Sequence, residues 1–370
     1  MFHIMWNTQF SESRLLDDIA ERIRKSLPSS WVVEMSAQVR MPGRKGRRRL
    51  VGLVADTWQA DATLQFRAPS GQLAKVWVEI KKGLEARDAL ALMAEWRQRT
   101  NSPILVAAPF LSPRTREVLR EWGASYADST GNLRISLQEP VVLVERPGAD
   151  RGPSAEKRPL RSLRGRAAGR AVRALVDYPP PFGVRELAKR SRNAVATVYR
   201  AVDLLEREAL LQRQPSGKVD SVNRTGTLRR WAQDYSFTKS NRTVTCIDPR
   251  GAQNLQAKLS SVPFQYALTG SIAASELVPV VATRLGTLYV ESTQKAMDVL
   301  DLRAAEAGAN VILAEPFDPV VFERTWSRGR LRYAAVSQVA VDLLTGPGRS
   351  PAEGEALLSW LERNGYAGEP

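Results

Sequence analysis

The 370 residues include one cysteine and one histidine. The single Cys246 excludes an intrachain disulfide framework and any paired-cysteine zinc site. The lone His3, close to the amino terminus, excludes histidine relays and histidine metal clusters. No apolar run approaches the roughly 20 residues needed to cross a bilayer. The opening MFHIMWNTQF lacks the basic-then-apolar layout of a secretory signal. These absences predict a cytoplasmic protein with no membrane partner. No repeat at solenoid spacing is present.

What the chain has in excess is positive charge. Lys and Arg number 54 against 39 Asp and Glu, a net of +15, while the apolar fraction of 43% supports packed cores. A chain of this length fits two or three domains. The excess is local: residues 151–235 hold 19 basic against 8 acidic side chains, residues 1–150 hold 22 against 17, and residues 236–370 hold 13 against 14. A concentrated +11 is the electrostatic footprint of a polyanion-binding segment. Residues 146–159, RPGADRGPSAEKRP, read as a linker. The predicted organisation is an α/β domain over 1–145, that linker, a winged helix-turn-helix over 160–235, and a C-terminal α/β domain over 236–370.

The strongest pattern lies at residues 183–222. VRELAKRS (184–191) and AVATVYRAVDLLER (194–207) read as two helices broken at Arg192-Asn193. Helical spacing predicts Val195, Val198, Val202 and Leu205 in the core, with Ala194, Thr197, Arg200 and Ala201 on the open face. Leu187 and Ala188 supply close packing between the helices. LLQRQ and KVDSV flank Pro215-Ser216-Gly217, a three-residue hairpin turn with glycine last. Together they form a basic wing, and the implied partner is double-stranded DNA. Arg200 is the candidate for a guanine edge, because its fork can bridge O6 and N7. Thr197 and Tyr199 stand beside it, with Tyr199 either at the interface or packed. Arg192, Arg213 and Lys218, with Arg161, Arg164, Arg166, Arg170 and Arg173 upstream, are candidates for phosphate. A homodimer reading paired half-sites is the expected assembly. The competing reading is a protein-interaction module with a solvated charged face.

In the first 145 residues, apolar spacing predicts a helix over 15–24 and strands at 31–35, 51–66 (broken near Asp56) and 75–81. A helix over 84–99, a strand at 104–107 and a helix over 113–122 follow. Short strands at 126–127 and 133–137 then flank Gly131-Asn132. The order is αβββαβ, then αββ. Alternation puts Glu79 and Lys81 on one strand face. A hairpin symmetric about Ser70 sets Asp61 directly across from Glu79, close enough to share a divalent ion, with Lys81 placed to polarise water or steady a phosphorane. These residues and this order, over about 10–145, resemble the PD-(D/E)xK nuclease superfamily, with Ala60 where the motif has proline. The resemblance implies a restriction-endonuclease-like fold and a metal-dependent DNA endonuclease. Asp61, Glu79 and Lys81 would be catalytic, and Mg2+ would sit on Asp61 and Glu79. Glu21, Glu12 and Asp17 compete for an extra acid on the first helix. The reading preferred over this is the same fold without cleavage or cofactor, its three residues a surface charge cluster. The run Arg40, Arg44, Lys45, Arg47, Arg48, Arg49 is either a DNA contact or a solvated loop.

Beyond residue 236, Leu268-Thr269-Gly270-Ser271 is similar to the glycine-serine turn of nucleotidyltransferases. That chemistry needs two carboxylates about ten residues on, and residues 278–284 carry none. Glu291 and Asp298 come later and singly, so the turn is read as a strand-to-helix turn that needs Gly270. Several stretches taken together resemble AbiEi-type antitoxins of type IV toxin–antitoxin systems. They are ILVAAPFLSP at 104–113, ADSTGNL at 127–133, LRRWAQDY at 228–235, YALTG at 266–270 with Ala273-Ala274, and QVAVDLL at 338–344. That family couples a winged helix to a C-terminal α/β domain in a DNA-binding autorepressor. The resemblance therefore implies transcriptional regulation, an antitoxin role for the C-terminal part, and a nucleotidyltransferase-like toxin as partner. The nuclease-like segment is an addition to the family's shorter two-domain pattern.

Overall fold

The stripe Leu15, Leu16, Ile19, Ala20 and Ile23 recurs at helical spacing and is buried along one side of α1 (Glu12–Ser26). Ser11 caps its amino end by accepting from the Arg14 N–H, and Arg24 and Lys25 sit in its last turn, where the helix dipole favours cations. The computed structural model describes residues 11–40, 59–152, 162–278 and 285–365. It divides into two units, Met1–Lys157 with Arg207–Ala209, and Arg158–Glu206 with Leu210–Pro370.

In the first unit, α1 is followed by β1 (Val32–Arg40), β2 (Gln59–Arg67), β3 (Leu73–Ile80), α2 (Ala86–Arg99), β4 (Ile104–Ala108), α3 (Pro113–Glu121), β5 (Ser125–Asp128), β6 (Leu133–Leu137) and β7 (Val142–Arg146). The strands form one sheet in chain order, antiparallel from β1 to β3, parallel from β3 to β5, and antiparallel again to β7. The αβββαβ order is the one predicted, and β7 is a strand that the expected αββ ending omits. The β2–β3 hairpin pairs Ala62 with Val78 through Arg67 with Leu73, the register expected for symmetry about Ser70. One core joins α1 to Leu64, Phe66, Val76 and Val78, and a second joins Trp77 to Ala89, Met93 and Trp96 of α2. Strand alternation thus commits the odd side chains of β3 to the face under α2. The stretch 127–133 is a turn built on Asp128, which is fully buried. Its carboxylate accepts from the backbone of Leu111, Thr130 and Asn132 and from the Asn132 amide.

The second unit opens with α4 (Arg166–Asp177), α5 (Val184–Arg190), α6 (Val195–Arg207), the β8 (Leu211–Arg213) and β9 (Val219–Val222) hairpin, α7 (Arg224–Ala232) and the short α8 (Phe237–Ser240). It continues through β10 (Arg242–Ile247), α9 (Ala252–Leu259), β11 (Tyr266–Thr269), α10 (Gly270–Ala274), β12 (Gly286–Val290), α11 (Thr293–Leu300), β13 (Arg303–Ala304) and β14 (Val311–Glu315). A 3-10 turn at Pro319–Phe322, β15 (Trp326–Arg328), β16 (Leu331–Tyr333), α12 (Val336–Leu344) and α13 (Ser350–Asn364) complete it. Seven of these strands form a mixed sheet in the order β13-β10-β14-β12-β11-β16-β15. Residues 160–235 and 236–370 were expected as separate domains. Apart from Arg207–Ala209, both lie in this unit, and one apolar core runs from Leu163 through Val198, Trp231 and Leu268 to Leu361. Gly270 stands at a strand-to-helix turn with φ +65°, and a Cβ there would press on Thr287 at 3.3 Å. The turn therefore needs glycine on both counts. No helix among the described residues is long and apolar enough to cross a membrane.

Candidate nucleic-acid interface

Helix α5 ends at Ser191, and Arg192 takes the left-handed φ of +49° that turns the chain into α6. Asn193 fixes this corner: its side-chain amide donates to the Ala167 carbonyl at 2.8 Å and to Ser191 Oγ at 3.2 Å. The inward stripe of α6 is Val198, Ala201, Val202, Leu204 and Leu205. Two expectations change with it. Val195, predicted for the core, is 47% exposed, and Ala201, predicted for the open face, is buried. At about 100° per residue, Val195 lies roughly a quarter turn from the centre of that stripe, whereas Ala201 lies within it.

The open face begins with Ala194, Val195 and Ala196 and continues to Tyr199 and Arg200, with Thr197 half-buried beside it. Tyr199 is 52% exposed, which settles its placement between packed and open. The Arg200 guanidinium lies back along its own helix, donating to the Ala196 carbonyl at 3.2 Å and reaching Thr197 Oγ1 at 3.5 Å. The β8–β9 hairpin turns at Pro215-Ser216-Gly217, where Gly217 has φ +82° and donates to the Gln214 carbonyl. A further bridge joins Phe182 to Val219 and ties the hairpin to the strand-like residue before α5.

The predicted phosphate ligands divide sharply. Arg166 and Lys218 are exposed and make no ion pair among the described residues. The same holds for Arg200, the candidate for a guanine edge, and for Arg185 and Lys189, which the sequence reading did not single out. Arg192 is open to solvent and, among the described residues, pairs with the partly exposed Glu323 at 3.2 Å. Arg213 is different. It is tied to Glu206, lies near Asp203 at 3.8 Å, and sits 5.7 Å from the centre of the Tyr199 ring. It holds the hairpin to α6 instead of reaching outward from the wing tip. Arg170 is likewise committed, its guanidinium clasping both oxygens of the buried Asp318 at 2.9–3.0 Å. Arg173 is buried outright, bound to Asp177 at 2.8 Å, to Gln338 at 3.1 Å and to two carbonyls. Helical periodicity turns both side chains inward. Arg164 pairs with Asp234 at 3.6 Å, and Arg161 lies outside the described residues.

A second constellation lies deeper in the same unit. Asp342 of α12 is buried, and its carboxylate accepts from Thr269 Oγ1 at 2.6 Å, Gln338 Nε2 at 2.8 Å, and the Tyr235 and Tyr289 hydroxyls at 2.9 Å. Burial pushes Asp342 up to about 6 against the pull of these four donors. Gln338 links this group to Arg173, whose partner Asp177 also accepts from Ser337 at 2.5 Å. The stretches 228–235, 266–270 and 338–344 supply Tyr235, Thr269 and Asp342. Periodicity assigns these residues no role, because a buried acid in an apolar helix has no local signature.

In the first unit, Asp61 stands one residue beyond the β2–β3 ladder, and its carboxylate accepts from the Ile80 N–H at 2.7 Å. It thus replaces a backbone acceptor at the open end of the hairpin. Glu79 is buried. Its Oε1 accepts from Lys81 Nζ at 2.7 Å, and its Oε2 has no hydrogen-bond partner among the described residues. Burial raises its carboxyl above the ordinary range, Lys81 draws it down, and the charges of Asp61 and Glu95 push it up again. Glu95, on α2, is the neighbouring acid that pattern reading did not find. Glu12, Asp17 and Glu21 are solvent-facing on α1, and Glu21 pairs with Lys25 at 2.6 Å. No group of three acidic, histidine or cysteine side chains suited to a metal occurs among the described residues. Arg44, Lys45, Arg47, Arg48 and Arg49 lie outside them, and Arg40 is described only as the end of β1.

No protein-family model matches the chain, and no curated protein or solved structure is significantly similar to it.

Proposed function

We propose that this chain is a sequence-specific double-stranded DNA-binding regulator whose contact element is a winged helix-turn-helix: α5, α6 and the β8–β9 hairpin. The observation that carries the proposal is the open face of α6, with Tyr199 and Arg200, accompanied by exposed cations that no carboxylate among the described residues neutralises. Unpaired lysines and arginines attract phosphate. The helix face selects among base edges. Arg200 is tethered only by weak bonds to its own helix, so it can swing onto a guanine at little cost. Arg200→Ala is expected to weaken the preferred duplex by about 1–3 kcal/mol, and a scrambled duplex of equal length much less. Equal losses on both, measured by fluorescence anisotropy, would reduce Arg200 to a phosphate ligand.

The finer reading is an autorepressing antitoxin of the AbiEi type, with a nucleotidyltransferase-like toxin as partner and paired half-sites read by a homodimer. It is supported by the resemblance in the quoted stretches, three of which supply the Asp342 network. A network that specific to side chains fits a dedicated C-terminal module.

A second reading rests on Glu79. A buried carboxylate oxygen without a partner, beside a lysine and a second acid, is costly unless something binds it. Mg2+ is commonly held by one or two carboxylates together with water and phosphate, so Asp61 and Glu79 fit such an ion. When bound, the ion would supply charge neutralisation for a phosphodiester under attack. The chain's own part is then to keep Glu79 desolvated and to hold Lys81 against it. The expected result is magnesium-dependent duplex cleavage and a magnesium-induced rise in melting temperature, both lost in Glu79→Gln with DNA binding retained. Intact DNA together with an unmoved melting temperature would leave the regulator reading alone.

A further inference from the structure

The entry to α6 is apolar: Ala194 precedes the helix, and Val195 and Ala196 are its first two residues. Ala194, Val195 and Ala196 are all exposed there, and Val195 is 47% so. The first polar groups come later, at Thr197, Tyr199 and Arg200, and the Arg200 guanidinium folds back to the Ala196 carbonyl and Thr197. Single exposed apolar residues are ordinary. Here three stand in succession, and Lys189, Arg192 and Lys218 are exposed on the neighbouring elements. Exposed cations on elements next to an apolar helix entry suit a polyanion that also offers an apolar group. In the major groove that group is the C5-methyl of a pyrimidine, the one base-edge feature read by contact without hydrogen bonding.

We infer that Val195, flanked by Ala194 and Ala196, reads a pyrimidine C5-methyl group in the major groove. The inference rests on the DNA-binding reading and names what that face selects. Two sources carry the same chemistry, thymine and 5-methylcytosine. A side chain that reads the methyl does so whichever base bears it.

The test begins with the full chain and duplexes selected from a random pool. In the tightest sequence each thymine is replaced singly by uracil, which removes only the methyl, and in separate duplexes each cytosine is replaced by 5-methylcytosine. Burying one methyl group is worth about a fourfold change in affinity. The expected result is a loss near that size at one or two thymine positions. Val195→Ser, a substitution suited to a helix's first turn, should bind the thymine and uracil duplexes equally. A gain of similar size with 5-methylcytosine, again absent in Val195→Ser, would support the same reading with cytosine as the source. If the wild type binds a selected duplex and neither replacement changes its affinity by as much as about twofold, the inference is overturned. Retention of no duplex from the pool would instead overturn the DNA-binding reading beneath it.

Discussion

Asp342→Ala is expected to destabilise the second unit by about 3–5 kcal/mol. Four donors converge on this carboxylate: Thr269, Gln338, Tyr235 and Tyr289. Alanine would leave them buried without an acceptor, each orphan costing about 1–3 kcal/mol before any relaxation. The hydroxyls of Tyr235 and Tyr289 lie 3.1 Å apart and can satisfy one another in part, which keeps the total below the sum of the separate costs. The melting temperature should fall by about 2–4 °C per kcal/mol for a unit of this size. Asp342→Asn separates shape from charge. Folding raises this carboxyl from 3.8 to about 6, so the folded state binds the proton more readily than the unfolded state does. That contribution is fully present below 3.8 and is lost as pH rises through 6. The stability of Asp342→Asn relative to the wild type should therefore climb by about 2 kcal/mol between pH 4 and pH 8. Denaturant titrations across that range check the sign, and a flat difference would mean that water reaches the carboxylate.

Duplex affinity should fall on the order of 10³-fold between 50 and 200 mM salt. The estimate comes from counting cations that the fold leaves available. Arg166, Arg185, Lys189, Arg192 and Lys218 remain exposed beside the base-reading Arg200, whereas Arg170, Arg173 and Arg213 are held by Asp318, Asp177 and Glu206. Each phosphate contact releases condensed counterion, with a logarithmic slope of about −0.9 per contact. Lys189→Ala and Lys218→Ala should each lower the slope by about 1, and Arg170→Ala should leave it unchanged while lowering stability. If binding were as strong at 200 mM as at 50 mM salt, the partner would be no phosphate backbone.

The division between those arginines shows where local pattern reading loses its grip. Net charge over 151–235 is legible in the sequence, but the number of charges that face outward is not. Arg170 and Arg173 lie on a helix whose turns carry them inward, and their acceptors come from as far along the chain as Asp318 and Gln338. Glu79 gives the opposite case. Alternation and turn symmetry were enough to place it near Asp61 with Lys81 at its side, because an antiparallel hairpin has only a local register to choose. Its burial was not legible, since the cover is α2, a helix that also brings Glu95 into its field.

By itself, therefore, the sequence determined what periodicity and short-range turns control. These are the helix pair with its glycine-closed hairpin, the αβββαβ order and the β2–β3 register. The near-absence of cysteine and histidine likewise removed whole classes of chemistry. Only the tertiary structure decided which polar side chains are buried and what satisfies them. It exposed Val195 and buried Ala201, turned Arg213 from wing tip to brace, and gathered Tyr235, Thr269, Tyr289 and Gln338 around Asp342. The physical reason is one of range. Backbone geometry repeats every few residues and can be read locally, while desolvation depends on everything packed nearby, however distant along the chain.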